Sequence, residues 1–411
     1  MTKEIQHLVL VALAILWTGV RTASAQSFGV ELHNTLMPAS GAMGGASLAQ
    51  PQDLVSALNG NPATLTQFQG TQFTFSGSWA EPTFNLTQST PIPMMGPTFI
   101  DPFAAKSTAQ GAAAGNIGVT QDLSIYDLPV TFGVAFVTIA GGSVDFRHVP
   151  ASQGTNSSSV IFSLPMAVGA NLTENLSIGA SMSLGVAFFD GPFVGAGGMT
   201  NDYALRASLG THYQATEFTG LGFYYQTKQS FQFDNALILN PGLMQTSLNV
   251  QMDLPQNFGL GISNTRLMDG NLLLAADLLF KGWNDADLFQ SIYDDQWVVQ
   301  IGAQYTAGRV KLRAGYAWAE NPVSANVVNN IGGVVHPGGL PIARYTQGLL
   351  AITSQHRISG GVGITDVLPG MDFDLMAGGM FRDTEQLGPS TTTSIASYWV
   401  GMGFTWHFFR S

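Results

Sequence analysis

Residues 176–188 read Leu-Ser-Ile-Gly-Ala-Ser-Met-Ser-Leu-Gly-Val-Ala-Phe. Leu176, Ile178, Ala180, Met182, Leu184, Val186 and Phe188 take every second position, and serine, glycine or alanine fills the places between. A period of two sends the two sets to opposite faces of a β-strand. A soluble β-sandwich also alternates, but its apolar face is the hidden one and its outer face is rich in Lys and Glu. Here the polar face is Ser and Gly with no charge, which suits an enclosed lumen. The apolar face is then left to meet lipid.

The same pattern recurs along the chain. Phe73, Phe75 and Trp79 oppose Gln72, Thr74, Ser76 and Ser78. Trp297, Val299, Ile301, Ala303 and Tyr305 oppose Gln300, Gly302 and Gln304. A hairpin at Ala307-Gly308 leads to Val310, Leu312, Ala314, Tyr316 and Trp318 against Lys311, Arg313 and Gly315. Connections alternate in length, as in membrane barrels. Short ones fall near Leu128-Pro129, Thr173-Glu174, 214–216, 265–270, Ala307-Gly308 and 366–370; long ones fall near 80–114, 141–157, 189–201, 229–245, 284–295, 320–353 and 382–396. Leu248, Val250, Met252 and Leu254 are separated from Phe258, Leu260 and Ile262 only by Pro255-Gln256. Two strands there would make the total odd. One long strand kinked at Pro255 gives about 14, an even number with both ends on the periplasmic side.

Composition agrees with an all-β, transmembrane antiparallel barrel. Charged residues make up 10% of the chain, against about 25% in soluble domains. Hydrophobic residues reach 45%, with 48 Gly and 26 Phe. No apolar run after the leader reaches the roughly 18 to 20 residues of a spanning helix. A net charge of -11 argues against nucleic acid, and with no cysteine there are no disulfides or thiolate sites. Residues 1–25 have the parts of a secretory signal: Lys3, an apolar core from Leu8 to Val20, and Ala23-Ser24-Ala25 as a cleavage site. Residues 26–70 then form an N-terminal hatch and 71–411 the barrel.

The hatch is unlike the rest. Residues 39–49 are almost all small and give no core of their own, so their walls must come from elsewhere. Asp53 is placed to cap a short helix, Leu54 to Asn59, that stops at Gly60. Asn61-Pro62-Ala63 follows; Pro62 pushes Asn61 out of the α region, and the Asn61 amide is free to bond nearby backbone.

Asn-Pro-Ala after a Gly/Ala-rich run resembles the hatch of the FadL-type outer-membrane transporters of long-chain fatty acids and other hydrophobic compounds. Asp253-Leu254-Pro255-Gln256-Asn257-Phe258 resembles that family's Leu-Pro-x-x-Phe strand. Gly282-Trp283-Asn284-Asp285, Asp295-Gln296-Trp297, Leu312-Arg313-Ala314-Gly315-Tyr316 and Asn321-Pro322-Val323 occur in its order. The last strand, with Tyr398, Val400, Met402, Phe404, Trp406 and Phe408 on one face, is similar to those read by barrel-assembly machinery, although Arg410 and Ser411 follow Phe409. The resemblance implies a monomeric outer-membrane channel for passive uptake of hydrophobic ligands through a plugged barrel, long-chain fatty acids first among them and hydrocarbons second, held in outer-membrane lipids. It also implies a hatch gated at Asn61, Pro62 and Ala63, and release through hatch movement or a wall-opening strand kink.

Candidate ligand contacts are Met94, Met95 and Phe99, in an apolar loop able to collect a hydrophobic molecule. Arg206 joins them, because its parity with Ser208, Gly210 and His212 points it inward, where it could meet a carboxylate. His212, Lys311, Arg313 and Arg357 share that parity and are read as balancing lumen acids such as Asp277, Asp372 and Asp374. No enzyme is indicated. Residues 179–183 begin like a nucleophile elbow but lack its final Gly, and the histidines have no metal-ligand spacing. No cofactor or metal is called for. The alternatives are a general diffusion porin, which needs an open aqueous lumen, and a barrel lipase, which needs a Ser-His pair on neighbouring strands.

Overall fold

The computed structural model describes residues 33–93, 99–191, 199–239, 246–330, 333, 335, 339–351 and 355–408. The leader at 1–25 lies outside them. Fourteen antiparallel strands form the barrel. They are β1 (Thr71–Gln88), β2 (Ala112–Asp122), β3 (Val130–Asp145), β4 (Asn156–Asn171), β5 (Leu176–Asp190), β6 (Thr200–Thr216), β7 (Thr219–Gln226) and β8 (Gln256–Leu267), then β9 (Leu272–Gly282), β10 (Gln296–Ala307), β11 (Val310–Ala319), β12 (His356–Leu368), β13 (Met371–Leu387) and β14 (Thr391–Phe408). Each pairs with its neighbours in sequence, and β14 closes onto β1 in a register running from Thr71↔Phe408 to Gln88↔Thr391. Closure removes the two free edges that an open sheet would present to hydrocarbon.

The alternation resolves into two environments. Leu205 and Leu209 of β6 are 62% and 59% exposed on the outside, whereas Arg206, Ser208 and His212 between and beyond them are buried. In β1, Phe75 and Trp79 point out while Gln72, Thr74, Ser76 and Ser78 point in. A contiguous exposed apolar surface of this extent is insoluble in water and is stable against acyl chains.

Four expected boundaries move, the first at residue 80, where β1 runs on as strand through Gln88. Residues Thr246–Leu254 do not continue β8 within the wall; they pair only with Gln229–Leu239, in a separate hairpin that rises from β7 and β8. Pro255 has no N–H to offer a ladder, and the wall strand starts after it. The even count of 14 survives, because the hairpin adds two pieces outside the wall. Residues 382–396 are not a loop: β13 and β14 run on, joined only by 388–390, with Gly388 at φ +66°. At the other end β6 runs through Thr216, so the turn falls at 217–218, not at 214–216.

Inside the barrel sits the hatch, with helix α1 (Pro38–Gly41), helix α2 (Leu54–Asn59) and a 3-10 helix (Pro62–Gln67) ahead of β1. Asp53 caps α2, its Oδ1 accepting the Ser56 N–H at 2.7 Å. Residues 34–65 are almost all buried although few are large, because the wall supplies the packing they lack. At the long-loop end the lumen is filled by apolar side chains. Phe231, Phe233, Val250, Met252 and Leu254 of the hairpin pack with Trp283, Phe289, Tyr293 and Leu350. Helix α3 (Gly339–Leu350) brings Ile342, Tyr345 and Leu349 against Phe84, Phe146 and Trp399.

Candidate functional site

The hatch is seated by close approach and by a small set of hydrogen bonds. Inward glycines of successive strands receive its backbone. A Cβ at Gly210 of β6 would overlap the Asn61 amide, one at Gly179 of β5 would overlap Pro62 and the Ala63 nitrogen, one at Gly222 of β7 would overlap Leu48, and one at Gly315 of β11 would overlap Gly44. Any larger residue there forces chain or wall to move.

Asn61 does more than end a helix. Its Nδ2 donates to Thr211 O of the wall at 2.9 Å and to Leu48 O of the hatch at 2.8 Å, and its Oδ1 accepts Ala63 N–H at 3.1 Å. Pro62 and Ala63 lie buried against β4 and β5, at Gly169 and Gly179. Three strands further round the wall from β6, Asp277 of β9 is buried and its Oδ2 accepts Ser47 N–H at 2.6 Å and Leu48 N–H at 3.0 Å. Ser78 donates to Leu36 O at 2.7 Å, Gln300 to His33 O at 3.2 Å, and the Gly44 N–H donates to Ser359 Oγ at 3.1 Å. Within the hatch, Asp53 also accepts Ser40 N–H at 3.1 Å; burial pushes its carboxyl above the usual range.

The wall beside the hatch is incomplete. β2 pairs with β1 as far as Ala112, but it pairs with β3 only from Asn116↔Val137 to Asp122↔Thr131. Residues 112–115 therefore have no ladder partner on the β3 side. In the pairing of β3 with β4 the register shifts between Thr138 and Ala140, at the same height. A cavity of about 70 Å³ lies between this gap and the hatch, lined by His33 to Met37 and Asn59 on the hatch side and by Ala80, Ala112 to Ala114, Asn116 and Thr138 to Gly141 on the wall side. Six of the wall residues are alanine or glycine, so the gap is narrow in depth and apolar in character.

Arg206 faces inward next to this region. Its Nε donates to Thr227 O at 2.7 Å and its Nη2 to Pro255 O, the two points at which the hairpin leaves β7 and β8. A second, smaller cavity is lined by Arg206, Gln226 and Ser163 together with His33, Asn59 and Ile139, and it shares the last three with the cavity at the gap. The structure thus brings Arg206 and the hatch together. Phe99 is elsewhere: it pairs with Pro93 in a two-residue ribbon whose isoleucines are buried, and its own ring is exposed. Met94 and Met95 lie outside the described residues.

Of the other inward cations some meet acids, whereas Arg357 is buried with no partner for its Nε among the described residues and so does not balance a lumen acid. Arg313 meets Asp374 at 2.5 Å and donates to Gln304 Oε1 at 2.7 Å, and His407 lies 3.2 Å from Asp372. Residues 179–183 are a straight part of β5, not a strand-to-helix elbow. Sequence reasoning missed Asn116, Thr138 and the seating role of the glycines. The inward parity of Asn116 and of the glycines was visible, yet which glycine meets which hatch residue depends on the closed barrel.

No protein-family model matches the chain, and no curated protein sequence does. Solved structures do match in fold. The toluene transporter TodX of Pseudomonas putida superposes with a TM-score of 0.67 at 16% identity, over 93% of this chain and 100% of its own. A Pseudomonas aeruginosa FadL homologue gives 0.66 at 15% identity, over 93% and 100%. The toluene transporter TbuX of Ralstonia pickettii gives 0.62 at 16% identity, over 92% and 99%. The 14-stranded barrel with its N-terminal hatch is the fold they share with this chain.

Proposed function

We propose that this barrel, built on the fold of the FadL-type and TodX-type channels, is an outer-membrane channel for passive uptake of small hydrophobic compounds. The observation that carries the reading is the apolar gap between β2 and β3 beside a seated hatch. A hydrophobic molecule cannot cross the polar lipopolysaccharide layer unaided, but it gains free energy on reaching the acyl chains. A route that runs from the apolar outer lumen to a gap in the wall follows that gradient, at about 25 cal/mol per Å² of apolar surface kept from water. The straight route to the periplasm instead passes Gln304, Arg313, Asp374 and Asp372, where an apolar solute gains nothing. A general diffusion porin is disfavoured because the hatch and the apolar clusters occupy the lumen. A lipase needs a Ser-His pair on neighbouring strands; Ser177 and His212 do face each other across β5 and β6, but both side chains are buried and the Ser177 hydroxyl donates to Asn171 Oδ1 at 2.7 Å instead of to the imidazole, which disfavours that reading.

Two ligand chemistries suit the path. A long-chain fatty acid could set its carboxylate near Arg206. A neutral hydrocarbon fits better with the commitment of Arg206 to two carbonyls, and with the similarity in fold to TodX and TbuX, both toluene transporters. The test is uptake of labelled oleate and labelled toluene by cells that depend on this protein. Both should enter faster than in cells without it. Arg206→Ala should slow oleate several-fold more than toluene if the guanidinium meets a head group, whereas equal slowing assigns Arg206 to holding the hairpin. No acceleration of either compound would sink the channel reading.

A further inference from the structure

At the gap, side chains take over from the backbone ladder. Past the last β2–β3 pair, Asn116↔Val137, the Thr138 Oγ1 accepts the Gly115 N–H at 3.2 Å and donates to the Gly115 carbonyl at 3.2 Å. One hydroxyl thus serves both edge groups of a residue that would otherwise present them, unpaired, to hydrocarbon. From the other strand, Asn116 Oδ1 accepts the Thr138 N–H at 3.3 Å, and its Nδ2 reaches Ser76 Oγ on β1 at 3.4 Å. All four contacts are longer than the usual 2.9 to 3.0 Å of a backbone hydrogen bond, so this closure is weaker than the ladder it replaces. Asn116 and Thr138 both line the cavity, and a Cβ at Gly115 would meet nothing.

We propose that Asn116 and Thr138 form a side-chain clasp that fixes how far β2 and β3 stand apart, and so sets the cross-section of the molecule that passes the wall. The inference rests on the channel reading above and adds to it the residues that decide selectivity. A two-residue clasp can part and re-form without unzipping the sheet, because the pairs from Asn116 down to Asp122 remain. Asn116 acts from within, buried and tied to β1. Thr138 acts from the lipid side, where it shields Gly115.

The test uses size-matched pairs of ligands and the absence of native cysteine. Thr138→Val keeps the shape and removes both bonds to Gly115; Asn116→Leu removes the inner bonds. In intact cells, each variant should raise uptake of the fused-ring hydrocarbon pyrene relative to toluene by about threefold or more, with the folded barrel unchanged in amount and in heat-modifiable migration. The double variant Gly115→Cys, Thr138→Cys should transport when reduced and lose toluene uptake when oxidised, with recovery on reduction. An unchanged pyrene-to-toluene ratio in both single variants would overturn the clasp, as would full transport by a double variant shown by mass to be cross-linked. In either of those outcomes, toluene uptake by the native protein would still stand. If the native protein itself gives no uptake, the channel reading fails, and the clasp fails with it.

Discussion

Asn61 shows how one side chain ties three pieces of chain together. It holds the hatch to the β6 carbonyl of Thr211, holds Leu48 within the hatch, and turns the backbone at Ala63. Asp277 does the same three strands further round the wall, with two backbone N–H groups of the hatch. Removing one partner from a buried hydrogen bond costs about 1–3 kcal/mol. Asn61→Ala should therefore loosen the hatch by that amount and leave the barrel intact, read as faster hydrogen exchange in residues 34–65 with unchanged exchange in the strands. Uniform exchange in both regions would show that Asn61 is only a turn residue. At this scale the sequence carried much. The Asn61-Pro62-Ala63 motif and the inward direction of Arg206 were legible from spacing and parity, both local properties. The partners of Arg206 were not, because the carbonyls of Thr227 and Pro255 meet only where a hairpin leaves the wall. Nor were the glycine seats, since a period of two places a glycine inside without saying what approaches it.

Among the elements, strands were easier to read than their ends. A membrane strand needs only about 9–11 residues to cross, and β13 and β14 have 17 and 18. Beyond the lipid the outward face no longer has to be apolar, so alternation fades at Arg382, Asp383 and Glu385 and a continuing strand reads as a loop. Pro255 misled in the opposite direction, since continuous alternation on either side of it belongs to a hairpin and to the wall. The hatch is the element with the clearest consequence. Its helices are of four and six residues, too short to be stable alone, so its order depends on the wall. The barrel does not depend on it in return, because its ladders close without it. Deleting residues 27–60 should leave a heat-modifiable barrel that conducts ions in planar bilayers, where the full chain is nearly silent. A folded deletion variant that stays silent would mean that the outer hairpin and α3 alone seal the pore.

For the molecule as a whole, a ladder closed from β14 to β1, an apolar exterior and a lumen occupied by the hatch and apolar clusters combine with an interruption between β2 and β3, and the proposed channel follows from that combination. The arrangement has a direction. The proposed channel puts the tight turns at 308–309 and 369–370 at the periplasmic end and the apolar clusters under the long loops at the outer one. An epitope tag near Gly154 should be reached by antibody on intact cells, and a tag at Gly308 should not; labelling at Gly308 would reverse the orientation. The most direct test of the central claim reads two permeabilities in the same cells. Cells making this protein, in a background without other such channels, are given labelled toluene and a labelled hydrophilic sugar of similar size. The account expects toluene to accumulate several-fold faster than in cells lacking the protein while sugar entry stays at background. Faster sugar entry with no gain for toluene would contradict it and identify an open aqueous pore.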